Sequence, residues 1–310
     1  MKSVFVINGF LDSGKTQFIN YTLAQPYFRT KGTTLLIVCE EGEEEYDPVL
    51  LKATNTVMVT VDDASEIAPD KLIELDKKYK PSRVIFEYNG MWNFKEFKLP
   101  FIWKLEQQIT TIDTSNFELY FNNMRSLFAE MVRGSELIIF NRADGLNEKL
   151  PGFKRNVKAL NQQAEIIFED KDGEVNATLE EELPYDVNAS HIELTDDTYG
   201  IWYLDAMENT DRYVGKEITY VANVLIPGQF AKGMFVPGRQ IMTCCVEDIQ
   251  FLGFACKYAD ADKLKNHSWV KVTCTLDKAY FEGYRGEGPI LTAKSVTPCK
   301  APKQEVLTFN

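Results

Sequence analysis

The chain has 310 residues, 45% of them hydrophobic, and a formal net charge of −12 at pH 7 with a pI near 4.9. That length suggests two domains with ordinary cores, while the acidity, unrelieved by any dense Lys/Arg run, repels polyphosphate backbones and argues against a nucleic-acid partner. No apolar stretch approaches the ~20 residues of a membrane-spanning helix and the first residues lack a signal-peptide pattern, so no membrane insertion and a cytoplasmic location are expected.

Residues 3–7 form a short apolar run that reads as a strand, and residues 15–29 read as a helix. Residues 33–38 and 56–61 read as buried strands. Residues 65–79 carry Ile67, Leu72 and Leu75 at helical spacing, and residues 83–86 are again strand-like. Further strands are expected at 109–112, 136–140 and 165–168, with helices between 115 and 132 and between 153 and 161. Short apolar strands alternating with amphipathic helices predict an α/β unit whose mostly parallel sheet is covered on both faces.

The pattern changes near Asp170. Residues 170–211 are acidic and mixed, with one helix expected around 198–207. From Tyr213 onward, strands are expected at 217–226, 240–246, 250–258, 269–276 and 290–296. A short helix at 260–265 falls after the third of these. Five strands with a helix after the third is the order of an OB-like Greek-key barrel. The expected organisation is therefore an α/β domain over 1–170, a linker with a helix over 171–211, and a small all-β, OB-like domain over 212–310.

The segment Gly9-Phe10-Leu11-Asp12-Ser13-Gly14-Lys15-Thr16 fits G-x-x-x-x-G-K-[ST]. Its glycines let backbone N–H groups curl around phosphates. Lys15 supplies a charge to the β- and γ-phosphates, and Thr16 a hydroxyl to Mg²⁺. The following helix aims its positive end at the anion. Gly9, Asp12, Ser13, Gly14, Lys15, Thr16 and Gln17 are the candidate phosphate-side residues. A strand before the loop and a helix after it are the context that this motif requires.

A P-loop site needs a second acidic residue at the end of an inner strand to hold Mg²⁺ or its waters. Glu87 closes the run Val84-Ile85-Phe86. Asn141-Arg142-Ala143-Asp144 follows the strand 136–140. A carboxylate there accepts hydrogen bonds from N1 and the exocyclic amine of guanine, whereas adenine has no such donor pair and would leave it unpaired, at a cost of about 1–3 kcal/mol. Glu40-Glu41-Gly42-Glu43-Glu44-Glu45-Tyr46-Asp47 is either a solvated acidic loop or a switch loop. In the second case Glu40 and Asp47 meet Mg²⁺ or influence the attacking water.

These residues together resemble the CobW-type metallochaperone GTPases, relatives of HypB and UreG. The loop at 9–16 is similar to the family's G-F-L-x-x-G-K-T, and Cys39-Glu40-Glu41-Gly42 through Asp47 to N-E-x-G and a later Asp. Glu87-Tyr88-Asn89-Gly90 is similar to E-[ST]-[ST]-G. Ile112-Asp113-Thr114-Ser115-Asn116-Phe117 is similar to V-D-A-x-x-F, and Asn141-Arg142-Ala143-Asp144 to N-K-x-D. The family's C-x-C-C metal motif has no counterpart, because residues 57–64 contain no cysteine; Asp62 and Asp63 there would suit harder ions. Arg142 replaces the family's lysine, and Tyr88-Asn89 replace small hydroxyl residues expected near the γ-phosphate. The region 215–310, through 239–246 and 269–276, resembles the C-terminal domain of small bacterial proteins encoded beside predicted permeases.

The six cysteines are expected as reduced thiols or metal ligands. Cys244 and Cys245 are adjacent, so on a regular strand they face opposite sides. With Cys256, Cys274 and His267 they form either a tetrahedral transition-metal site or a set of small buried hydrophobes. The resemblance implies a Mg²⁺-dependent GTPase acting as a nucleotide switch in metal or cofactor handling, with slow hydrolysis. The alternative is a GTP-loaded adaptor with negligible hydrolysis that docks on a transporter or metalloenzyme. GTP is the expected substrate, Mg²⁺ the expected cofactor, and Zn²⁺ or another transition metal a further candidate cofactor. A metalloprotein or transporter client and a second copy of the chain are the candidate protein partners.

Overall fold

The computed structural model describes residues 1–175, 183–228, 230–244 and 246–308. The chain forms two compact units, Met1–Leu179 and Glu180–Asn310.

In the first unit the order is β1 (Lys2–Asn8), α1 (Lys15–Ala24), β2 (Thr34–Val38), α2 (Pro48–Ala53), β3 (Thr56–Thr60), α3 (Pro69–Tyr79) and β4 (Arg83–Glu87). There follow β5 (Trp103–Asp113), α4 (Phe117–Asn123), α5 (Arg125–Arg133), β6 (Leu137–Asn141), α6 (Leu150–Leu160), β7 (Glu165–Asp170) and β8 (Gly173–Glu174). The sheet runs β3-β2-β4-β1-β5-β6-β7-β8 and is parallel until β8, which turns back on β7. It is covered on both faces, as the apolar runs predict. Val4, Val6, Leu35, Ile37, Val84 and Phe86 enter one core cluster, whereas Ile7, Leu36, Val38 and Ile85, one position out of phase, enter another with Ile19 and Leu23 of α1. This is the period-2 alternation of a strand.

Helix boundaries differ from the sequence expectation where proline intervenes. The helix expected over 15–29 ends at Ala24, because Pro26 cannot donate into the ladder; a 3-10 turn, Pro26–Phe28, follows. Pro69 likewise divides 65–79 into the 3-10 turn Ala64–Ile67 and α3. The helical region 115–132 is two helices that meet at Met124.

The second unit contains β9 (His191–Glu193), α7 (Asp196–Glu208), β10 (Glu217–Leu225), β11 (Met234–Met242), β12 (Ile249–Gly253) and β13 (Cys256–Lys257), then β14 (Trp269–Phe281), β15 (Gly286–Pro298) and β16 (Val306–Thr308). The pairings β10–β11, β11–β13, β13–β15, β15–β14 and β14–β10 close a ring in which only β13–β15 is parallel. β12 lengthens the β11 pairing, β16 adds to β11 in parallel, and β9 adds to β10. The segment 171–211 thus carries β8, β9 and α7; the Tyr199 and Trp202 rings of α7 pack on Tyr220 of β10, and Trp202 also on Phe254. The strand expected from residue 240 starts at Met234 and passes through Pro237, which faces Val224. The Pro237-Gly238 pair reads as a breaker in sequence but is accommodated in this register. Among the described residues no helix is long and apolar enough to cross a membrane.

Candidate functional site

The loop between β1 and α1 turns on backbone conformations of positive φ, +55° at Asp12 and +91° at Gly14. Gly14 must be glycine for a second reason: a Cβ there would lie 2.4 Å from Asn141 Nδ2. That amide donates to the Ser13 carbonyl at 2.7 Å, tying the end of β6 to the loop. Arg142, itself at φ +54°, donates to the Asp12 carbonyl at 2.8 Å and pairs with Asp113 at 2.6 Å. Burial pushes the Asp113 carboxyl up, but hydrogen bonds from Ser115 and Arg142 outweigh it and hold the group below its usual range. The Ser13 hydroxyl shares a hydrogen bond with Thr111 at 2.9 Å, and the Asp12 carboxylate accepts the Glu43 N–H at 3.1 Å.

Lys15 is 3% exposed. Its ammonium donates to the Gly9 and Phe10 carbonyls at 3.0 and 2.8 Å and forms an ion pair with Glu40. Burial raises the Glu40 carboxyl above its ordinary value, against the lowering pull of Lys15. Thr16 donates to Glu87 Oε1 at 2.6 Å, and the Tyr46 hydroxyl donates to Oε2. Burial, then the neighbouring Glu87 charge, pushes the Tyr46 phenol far above its ordinary value, so it stays a donor. Glu87 is 4% exposed, and among the described residues its side-chain partners are these two hydroxyls and no cation.

These groups line a small cleft of about 70 Å³ that includes Asp12, Gly14, Lys15, Thr16, Glu40, Glu87 and Arg142. A second, wider cleft of about 720 Å³ is lined by Gly14, Gln17, Tyr21, Asn141, Arg142, Asp144 and the β7–β8 hairpin from Glu169 to Glu174. Asp144 accepts the Lys171 N–H at 3.3 Å. Gly14 and Arg142 belong to both clefts.

The fold therefore brings together the residues expected of a phosphate loop, Glu40, Glu87 and the Asn141–Asp144 segment. It does not bring in Asp47, whose carboxylate caps α2 by accepting the Val49 N–H at 2.8 Å. Tyr88, expected near the phosphates, is 2% exposed and packs its ring on Trp92, Phe94 and Phe97. Asn89 instead braces the turn, donating to the Cys39 carbonyl and accepting the Met91 N–H. Asp63 caps the 3-10 turn Ala64–Ile67, and among the described residues neither it nor Asp62 belongs to a group of three or more possible metal ligands. Tyr46 and Lys171 were not among the sequence candidates, and Asp113 entered only as part of the 112–117 motif, with no role at the site. For Tyr46 the one available signal was an aromatic residue interrupting a run of carboxylates.

In the second unit Cys256 and Cys274 are buried, with thiols directed at the Lys257 and Ile218 carbonyls. Burial raises Cys256 to about 12 and Cys274 well above its ordinary value, which keeps both thiols protonated and poor ligands. His267 is exposed and Cys244 half-buried. These four do not converge, and Cys245 lies outside the described residues. Among the described residues no group of three or more His, Cys, Asp or Glu side chains is arranged to hold a metal ion.

Residues 3–168 match the CobW/HypB/UreG nucleotide-binding domain, and residues 170–307 match the DUF1980 C-terminal domain. No curated protein matches the chain. Similar solved structures include the hydrogenase maturation factor HypB from Archaeoglobus fulgidus, at 15% identity over 55% of this chain and 82% of that one, with a TM-score of 0.42. They also include the Zn(II)-bound YjiA GTPase from E. coli, at 18% identity over 73% and 74%, with a TM-score of 0.41. HypB from Helicobacter pylori in complex with nickel is 14% identical over 55% and 80%, with a TM-score of 0.36. The first match spans more than half of the chain and contains the loop, Glu87 and the Asn141–Asp144 segment, and on that ground the protein belongs to the CobW/HypB/UreG family of nucleotide-binding proteins.

Proposed function

We propose that the chain is a Mg²⁺-dependent GTP-binding protein that hydrolyses GTP slowly and serves as a nucleotide switch in metal or cofactor handling. The observation that carries this reading is the adjacency of the two clefts. Gly14 and Arg142 line both, with Lys15, Thr16 and Glu87 on one side and Asn141 and Asp144 on the other. One molecule with a polyphosphate at one end and a base at the other suits that pair. Lys15 and the loop amides would stabilise charge on the phosphates. Asp144, held by the Lys171 N–H, would accept the paired donors of guanine.

Thr16 and Glu87 fit Mg²⁺: both offer hard oxygens, and Glu87 is a buried carboxylate whose described partners are hydroxyls rather than a cation. A bound Mg²⁺ supplies neutralisation of the phosphate charge. Glu40 and the phosphates would compete for the same Lys15 ammonium, so nucleotide entry requires Glu40 to leave. The ring order of the second unit supports its assignment as an OB-like barrel.

The test is a calorimetric titration of the purified chain with GTP and with ATP, each with Mg²⁺. Binding of GTP in preference to ATP, with at least ~10-fold loss in Asp144→Ala, is expected. ATP binding as tight as GTP would sink the assignment of Asp144 to the base. Turnover measured beside binding separates a slow GTPase from an adaptor, which would bind and release GTP unchanged.

A further inference from the structure

Each oxygen of Glu87 meets its own hydroxyl: Thr16 at Oε1 and Tyr46 at Oε2. Thr16 is a fixed position of the loop motif, but Tyr46 belongs to no motif in the sequence. The Tyr46 ring packs against the core cluster that holds Ile7, Ile19 and Ile85. The chain is anchored on both sides of it. Asn20 of α1 donates to the Glu45 carbonyl at 3.2 Å, and Asp47 caps α2 immediately after. The phenol is thus held at Glu87 by packing and by the flanking backbone, not by that one hydrogen bond. Glu40, at the start of the same segment, holds Lys15. Residues 40–46 therefore touch both charged groups at the mouth of the loop.

We propose that Tyr46 is a positioning residue for Mg²⁺: it ties one oxygen of Glu87 and so presents the other, beside the Thr16 hydroxyl, to the ion. The inference rests on the Mg²⁺-dependent nucleotide reading above. A carboxylate free to rotate offers either oxygen or both, whereas one restrained by an outer hydrogen bond binds with less loss of freedom; losing such a partner typically costs ~10–100-fold in metal affinity.

The experiment is a calorimetric titration of the full chain with GDP, in Mg²⁺ and in EDTA, for the wild type and Tyr46→Phe. Phe retains the ring packing and removes only the hydroxyl. The expected result is a ~10-fold loss of GDP affinity in Mg²⁺ with the affinity in EDTA unchanged. In a Glu87→Gln background, Tyr46→Phe should add nothing. Equal loss in both media would mean a general structural role, and no loss in either would mean no role; each overturns the proposal. If the wild type itself binds GDP equally with and without Mg²⁺, the Mg²⁺ dependence in the nucleotide reading and this inference fail together; if it binds no GDP in either medium, the nucleotide reading itself fails. If the wild type responds to Mg²⁺ and Tyr46→Phe does not weaken, only the inference fails.

Discussion

Gly90 shows how a single missing side chain maintains the phosphate loop. It lies just past β4, and a Cβ at this position would fall 2.3 Å from the Gly9 carbonyl oxygen and 2.7 Å from its carbon, with Met131 Sδ at 3.1 Å. The first two neighbours are backbone atoms of the loop's opening residue and cannot rotate away. Lys15 donates to that same Gly9 carbonyl, so displacing it would also move the lysine's anchor. Gly90→Ala is therefore expected to destabilise the chain by about 1–3 kcal/mol, as overpacking does. It should weaken nucleotide binding at least ~10-fold, as a disturbed binding constellation does. Melting curves and a GDP titration on the same sample check both effects. Wild-type affinity in a folded Gly90→Ala chain would show that the loop tolerates the shift. The pattern Glu87-Tyr88-Asn89-Gly90 marks this glycine in the sequence, but not the Gly9 backbone that it meets.

At the scale of elements, legibility follows distance along the chain. The phosphate loop was readable because its glycines, lysine and threonine lie within eight consecutive positions and the flanking strand and helix are local. The contacts of Asp113, Tyr46 and Lys171 were not, because each meets its partner, Arg142, Glu87 or Asp144, across a long stretch of chain. Asp113 at the end of β5 pairs with Asn141 at the end of β6, which places its carboxylate by Arg142. Short elements escaped for another reason. β9 and β16 have three residues each, too few for a period to show. Arg239 on β11 reaches the chain that leads into one such short element, β16. It is 1% exposed, pairs with Asp196 at the start of α7, and donates to the Gln304 carbonyl ahead of β16 at 2.6 Å. Its guanidinium also lies 5.2 Å from the Trp269 ring centroid. Breaking a fully buried pair costs ~3–5 kcal/mol. The Asp196 side chain is 35% exposed, so about 2–3 kcal/mol is expected for Arg239→Ala after solvent screening. The loss should appear as a lower denaturant midpoint, with faster hydrogen exchange in β16. Unchanged exchange there would mean that β16 is held by its pairing with β11 alone.

At the scale of the whole molecule, the sequence matches and the packing divide the chain at different points. The match to the nucleotide-binding family ends at residue 168 and the next begins at 170, whereas the first compact unit extends to Leu179. The residues in between include the turn from β7 into β8, where Lys171 gives its N–H to Asp144 and Glu169 through Glu174 wall the wider cleft. If the base sits there, the nucleotide site needs residues that the family match leaves out. Two truncations separate these boundaries. A chain ending at residue 179 keeps the β8 turn and is expected to bind GTP with Mg²⁺ like the full chain, since among the described residues those lining the two clefts all lie at or before Glu174. A chain ending at residue 168 loses the Lys171 N–H and one wall. A hydrogen bond to a charged group contributes about 1.5–3 kcal/mol, so its GTP affinity should fall by at least ~10-fold and its preference over ATP should narrow. Equal affinity in the two truncations would remove β8 from the site. Loss of binding in both, with the shorter chains still folded, would mean that the second unit contributes to the nucleotide site, and the proposed boundary of the nucleotide-binding part would have to move.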